Sequence, residues 1–315
     1  MIKVLLKNNM IIKNATEKQK EVIREELTFP NPAYANALRF SRFSVTRIPE
    51  FLYYYQESNG MLLVPRGYKI PFEYEIEKDD RLISKVEYPK LKIDLRETQR
   101  EAVEVFEHKL INNIEENGVI VLPTGKGKSI LGLYMARRYS QKVLIVVQKD
   151  DLINGWRKDA EFIFGLRPKD VGLIKAKEFR IGEQITLTTI QTLSKLPAEE
   201  IRKLHEEFGM IIVDEFHRSV AKIYDTVHSF PARFKIGLTA TPLRNDGLQG
   251  VLYLYFGGLA YAYVDNADDE DILPVQVKIR ESKMKYMPEV PFDNFGKPKL
   301  PNINHIRAVV TGSTG

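Results

Sequence analysis

Apolar and polar positions alternate along this chain with two different textures. Up to about residue 90 the apolar runs are short and separated by turn signals. In "KVLLKNNMIIK", Asn8-Asn9 sits between two brief apolar segments, and asparagine tolerates the positive φ of tight turns, so a hairpin is expected. "ATEKQKEVIREEL" sets Thr16 three residues before Gln19, a capping box, and follows it with Val22, Ile23 and Leu27 at helical spacing, which predicts a short amphipathic helix. Asn59-Gly60 then predicts a second hairpin joining "FLYYY" to "MLLVP". Together these elements make a small α+β unit over residues 1–90 that closes in the extended, proline-marked "VEYPKLKIDL".

From Leu95 the texture changes. Short β-branched runs, "GVIVL", "KVLIVV", "ITLTTI", "MIIVDEF" and "KIGLTA", alternate with amphipathic or polar stretches, the pattern of βαβ units on a parallel sheet buried on both faces. In such a sheet ligands bind beyond the carboxyl ends of the strands, so the residues just after each run are the informative ones. There is no internal repeat, and the acidic "DNADDED" from Asp265 to Asp271 reads as a solvated loop.

Composition narrows the class. The 315 residues can bury a sizeable core, and 47 Lys plus Arg against 42 Asp plus Glu give a net charge of +5, mildly favouring a polyanionic partner. Without cysteine, a disulfide scaffold and thiolate-ligated zinc are excluded. No apolar run reaches the roughly 18 residues of a membrane span. "MIKVLLKNNMIIKN" carries lysines inside its apolar stretch, unlike a secretory signal, so a soluble, cytoplasmic protein is expected.

Chemistry concentrates at the ends of three of the predicted strands. In "VIVLPTGKGKSILGL", Gly125 and Gly127 let the backbone from Thr124 to Ser129 curl so that several N–H groups point at an anion, and the helix starting near Lys128 adds its positive end. Leu122 stands where the strict phosphate-loop pattern has its first glycine, with Pro123 able to make the turn. Pro123, Thr124, Gly125, Lys126, Gly127, Lys128 and Ser129 are therefore the candidate nucleotide cradle, Lys128 reaching the terminal phosphates and Ser129 coordinating Mg²⁺.

"MIIVDEFHRS" delivers Asp214 and Glu215 to another strand end, where Asp214 suits the metal and Glu215 the attacking water. An isolated Asp-Glu pair is usually a helix cap, and the conjunction with the glycine loop is what favours chemistry. His217 with His205 and His228 matches no zinc spacing. In "KIGLTATPLRNDG", Thr239 and Thr241 end a third strand, where their hydroxyls could bond the acids and relay the presence of a γ-phosphate.

In this order and spacing, "LPTGKGKS", "DEFH" and "LTATP" resemble motifs I, II and III of superfamily 2 helicases. "LRETQ" with Gln99 is similar to the adenine-reading Q motif, "VVQKDDLINGW" to motif Ia and "TTIQTL" to motif Ib. "GLTATPLRNDG", "YFGGLAYAY" and "ILPVQVKI" resemble the XPB and UvsW group, and residues 1–90, through "NPAYANALRFSRF" and "LVPRGY", resemble the N-terminal domain of its phage members. Motif II here reads Asp-Glu-Phe-His, and Glu97-Thr98 replaces the usual proline and aromatic.

The resemblance implies an α/β fold: a RecA-like domain over 91–280 after the small domain at 1–90, with 281–315 leading to a second RecA-like domain. It implies an ATP-dependent DNA helicase or translocase, acting as a monomer on branched or forked DNA in repair or recombination, and represented by its N-terminal half. Glu215, Asp214 and Lys128 would be catalytic, with ATP and Mg²⁺ as cofactors. His217, Thr239 and Thr241 would couple, and Gln148, Lys149, Thr189 and Gln191 would face nucleic acid. Trp156, the single tryptophan, reads as a core anchor before a base-stacking platform. In the first domain Arg39, Arg42, Arg47, Arg66 and Lys69 interleave with aromatics as in a duplex-binding surface, Arg39, Arg42 and Arg47 being the chosen DNA contacts. A non-catalytic DNA-binding module retaining a nucleotide site is the open alternative.

Overall fold

The computed structural model describes residues 1–40, 48–112, 116–175, 178–215, 226–240 and 249–263. Arg42, Arg47, His217 and Thr241 lie outside them, as does the segment from 265 to 315, and the side chain of Arg39 is likewise not described.

The chain opens with β1 (Ile2–Leu6) and β2 (Asn9–Lys13), the expected hairpin, in which Leu6 faces Met10 so that the turn centres on Asn8. Helix α1 (Glu17–Glu26) starts at the predicted capping box: the Gln19 N–H donates to Thr16 Oγ1 (3.3 Å) and the Thr16 N–H to Gln19 Oε1 (2.9 Å). There follow β3 (Thr28–Pro30), α2 (Pro32–Phe40), β4 (Phe51–Tyr53), β5 (Gln56–Ser58), β6 (Met61–Pro65) and β7 (Tyr74–Asp79).

The second hairpin is real but uses another strand. Asn59 and Gly60 both adopt positive φ, yet β6 pairs with β5, whereas "FLYYY" gives β4, which pairs with β3. Aromatic runs favour strand, and nothing local says which partner they take. The five-stranded sheet runs β5-β6-β2-β1-β7 and buries one face: Ile2, Val4, Leu6, Met10, Ile12, Leu62 and Val64 pack with Ile23 of α1 and with Leu27, its C-cap.

The proline-marked stretch after β7 is a strap laid on the larger unit. The Lys92 N–H donates to Ile163 O (3.0 Å), Tyr88 Oη to Gln141 O (2.7 Å), and Tyr88, Leu91, Ile93 and Leu95 pack on its core. Then come α3 (Glu97–Asn112), β8 (Asn117–Val121), α4 (Lys128–Arg138), β9 (Val143–Val147), α5 (Asp150–Phe164), β10 (Gly172–Lys175), β11 (Glu178–Arg180), β12 (Ile185–Thr189), α6 (Ile190–Leu193), α7 (Ala198–His205), β13 (Met210–Asp214), β14 (Phe234–Thr239), α8 (Gln249–Phe256) and β15 (Leu259–Ala262).

These strands form an eight-stranded sheet, β11-β10-β12-β9-β13-β14-β8-β15, parallel except for the β10–β11 pair. The continuous apolar runs have a simple cause. Val143, Ile145 and Val147 enter one core with Met210 and Ile212, while Leu144 and Val146 enter the opposite core with Ile211 and Val213, so every position needs an apolar side chain. The expected parallel α/β architecture is thus present.

The two sheets meet at the starts of β8 and β14. Arg66, 1% exposed, donates from Nη1 to Ala232 O (2.7 Å) and Lys7 O (3.2 Å), and from Nη2 to Asn117 Oδ1 (2.6 Å) and Arg233 O (3.3 Å). This corrects the reading of Arg66 as part of a DNA-facing surface: it is a buried joint. Beside it the Gly67 N–H donates to Leu254 O (2.7 Å), and a Cβ at Gly67 would lie 2.6 Å from Tyr253 O and Gly257 N, an approach only glycine allows.

Candidate nucleotide site

β8 and β13 are separated in the sheet by β14, and all three end on the same side. Past the end of β8 the chain turns through Pro123 and Thr124 into Gly125 (φ 87°) and Gly127 (φ 74°), the latter capping α4 in a left-handed conformation. Both glycines of the cradle are therefore required by backbone geometry. Lys128 opens the helix, and its Nζ donates to Leu122 O (3.2 Å) and lies 3.8 Å from Glu215 Oε1. The loop lysine and the strand-end acid, 87 positions apart in sequence by their numbering, face each other as the motif order requires.

Asp214 ends β13 at 8% exposure. Burial raises its carboxyl above the usual aspartate range, opposed by a hydrogen bond from Trp156, reinforced by Glu215 and opposed again by Lys128. Glu215 has φ 51°, strained for a side chain with a Cβ, and this turns it out of the strand toward the loop. Thr239, 1% exposed, sits at the end of β14 directly opposite Val121, and its carbonyl accepts from the Leu122 N–H (2.9 Å), so the third strand end abuts the phosphate loop.

Some assigned residues are placed differently from what the motifs imply. Gln99 is 2% exposed and braces the loop: its Nε2 donates to Lys126 O (3.2 Å) and Gly127 O (3.1 Å), and its Oε1 accepts from the Arg96 N–H (2.9 Å). Lys126 is 4% exposed with its ammonium 5.3 Å from the centre of the Tyr263 ring, held by packing rather than presented to the cradle. Thr189 is buried as the N-cap of α6, accepting from the Thr192 N–H (3.2 Å) and donating to Thr192 Oγ1 (3.0 Å). A side chain so engaged is a helix cap first. Lys149, the N-cap position of α5, and Gln191 in α6 are exposed beyond the ends of β9 and β12, and Gln148 is half-buried there.

Contacts that the motifs did not reveal come from α5. Trp156, 3% exposed, is the core anchor expected, but its Nε1 also donates to Asp214 Oδ2 (3.0 Å). Ser129 Oγ donates to Asp159 Oδ2. Ser129 and Asp214 supply hydroxyl and carboxylate oxygens, the donor set a hard cation such as Mg²⁺ takes, and so fit the ion.

The fold is that of a RecA-like phosphate-loop domain in which strand ends converge on the candidate nucleotide cradle. Residues 92–244 match the family model described as type III restriction enzyme, res subunit. The chain is 32% identical over 197 residues to the protein named "Probable helicase D10" of Escherichia phage T5 and 33% identical over 192 residues to the DNA 3'-5' translocase XPB2 of Sulfurisphaera tokodaii. These alignments cover 62% and 60% of this chain, which spans 40% of the length of each relative. In fold it is similar to a crystal structure of the UvsW helicase from bacteriophage T4, with TM-score 0.59 and 19% identity over 82% of this chain and 99% of that one.

Proposed function

We propose that this chain is the ATP-binding half of a DNA helicase or translocase that remodels branched or forked DNA. Residues 1–90 would be a DNA-binding unit, 91–280 the ATP-binding domain, and 281–315 the lead toward a second RecA-like domain. The observation that carries this reading is the 3.8 Å approach of Lys128 to Glu215, with buried Asp214 beside it, above a loop curled by two left-handed glycines.

On this reading the loop N–H groups from Thr124 to Ser129 hold the phosphates, and Lys128 leaves Glu215 to meet their charge. Glu215 then accepts the proton of the attacking water. Mg²⁺, when bound by Ser129 and Asp214, supplies charge neutralisation to the phosphates. His217, Thr239 and Thr241 couple this site to the rest of the motor. Lys149, Gln191 and Gln148, lying beyond neighbouring strand ends, contact the DNA backbone without reading sequence.

The test is ATP hydrolysis with and without forked DNA, in the protein and its Glu215→Gln variant. The amide keeps shape but cannot take a proton, so ATP binding should persist while DNA-stimulated hydrolysis falls by about 100- to 10,000-fold. A protein that binds DNA and ATP but hydrolyses no faster than its Gln variant is the non-catalytic module instead.

A further inference from the structure

The two candidate metal-binding side chains share a feature that their motifs do not contain: each is hydrogen-bonded to the same helix. Asp159 and Trp156 stand three residues apart on α5, on the flank that packs against α4. Ser129 and Gly132 stand three apart on α4, so they share a face. A Cβ on Gly132 would lie 3.1 Å from Trp156 Cη2, 3.1 Å from Leu238 Cδ1 and 3.3 Å from Ile212 Cδ1, so the missing side chain makes the slot in which the indole lies. The indole reaches through that slot to Asp214.

We propose that Trp156 and Asp159 are positioning residues that aim the Asp214 carboxylate and the Ser129 hydroxyl at the cation accompanying the nucleotide. This rests on the reading of Asp214 and Ser129 as its ligands. A serine hydroxyl has one proton and two lone pairs. By donating the proton to Asp159, Ser129 turns its lone pairs away from that carboxylate, the orientation a metal ligand needs. Indole nitrogen is a donor only. Its bond to Asp214 Oδ2 fixes the plane of the carboxylate. Partners that orient ligands in this way typically change metal affinity or activity by about 10- to 100-fold when removed.

The arrangement also places the single tryptophan of the chain one hydrogen bond from a metal ligand, so its fluorescence reports on the site. α5 is preceded at its N-cap by Lys149, among the residues proposed to face DNA, and a shift of this helix on DNA binding would move both bonds together.

The experiment titrates Mg²⁺ against a fluorescent ADP analogue bound to the protein, and repeats the nucleotide titration in EDTA. Trp156→Phe keeps the bulk and removes the N–H. Asp159→Ala removes the acceptor from a part-exposed position where folding is not at stake, and Asp159→Asn restores an acceptor oxygen. Trp156→Phe and Asp159→Ala should weaken the Mg²⁺ dependence by about 10- to 100-fold. Both should leave affinity in EDTA unchanged, and Asp159→Asn should recover most of the loss. In wild type, tryptophan emission should change on adding Mg²⁺ with ADP and not with ADP in EDTA.

Wild-type Mg²⁺ dependence in both Trp156→Phe and Asp159→Ala overturns the proposal while leaving the nucleotide site intact. Equal losses with and without Mg²⁺ also overturn it, since they assign the residues a purely structural role. If wild type binds no nucleotide, the parent reading falls and takes this one with it.

Discussion

The large sheet carries buried polar side chains at both of its ends, and the two ends use them differently. At the strand starts, Arg66 is bonded to three backbone carbonyls and Asn117, Lys235, 1% exposed, donates only to His228 O (3.1 Å) among the described residues, and Glu116 closes ion pairs with Arg233 and Arg81. At the strand ends, opposite charges face each other across a strained backbone, as with Lys128 and Glu215, and remain partly open to solvent. The first arrangement fastens one sheet to another. The second holds charges in readiness for something else, because Lys128 and Glu215 approach without closing a short ion pair. Cations closed off by carbonyls or by short ion pairs mark structure, and an opposed pair left open at a strand end marks a site.

If that contrast is right, damage at the strand starts should cost stability and spare the nucleotide site. Arg66→Ala should have the largest effect, a loss of roughly 3 kcal/mol or more in denaturant unfolding, since each buried acceptor left without a donor costs about 1–3 kcal/mol. The folded fraction should still bind ATP. Gly67→Ala should cost about 1–3 kcal/mol, because its Cβ meets backbone atoms that cannot swing aside.

Lys235 sharpens the contrast in the other direction. Burial, with Arg66 nearby, pushes its ammonium well below the usual lysine range. Between that lowered value and the ordinary lysine pKa the unfolded chain binds the extra proton, so this group makes stability rise with pH and fall as pH drops. Lys235→Met should therefore stabilise the fold by about 1 kcal/mol near pH 7. It should also flatten the climb of melting temperature with pH below the ordinary lysine pKa. A destabilised Lys235→Met protein would mean the amine matters to the joint.

The sequence made the strand-end face legible and the strand-start face nearly opaque, for physical reasons. Strands such as "KVLIVV" and "MIIVDEF" announce themselves because both faces are buried, and the motifs sit on single loops. β10, β11 and β15 are only three or four residues long, too short for a pattern, and went unseen. Arg66 reads as a surface charge because its acceptors, Ala232 O and Arg233 O, lie more than 160 residues away and are backbone atoms that no side chain reveals. Asp159 was invisible for the same reason, its partner being 30 residues distant on another helix. Trp156 was legible as core and illegible as a donor to Asp214. Thr189 and Gln99 show the converse, since motif identity said nothing of the cap and the loop brace they form.

The most direct measurement is the thermal shift produced by ATP with Mg²⁺ in wild type and in Lys128→Ala. Ligand at about a hundredfold excess over its dissociation constant stabilises by about 2.7 kcal/mol, enough to raise the melting temperature by several degrees. Wild type should show that shift and Lys128→Ala should lose it. Without nucleotide the two should melt alike to within about 0.5 kcal/mol, as expected for a side chain outside the core. An equal nucleotide shift in both proteins would contradict the account, because the charge at the strand ends would then not be what holds the phosphates.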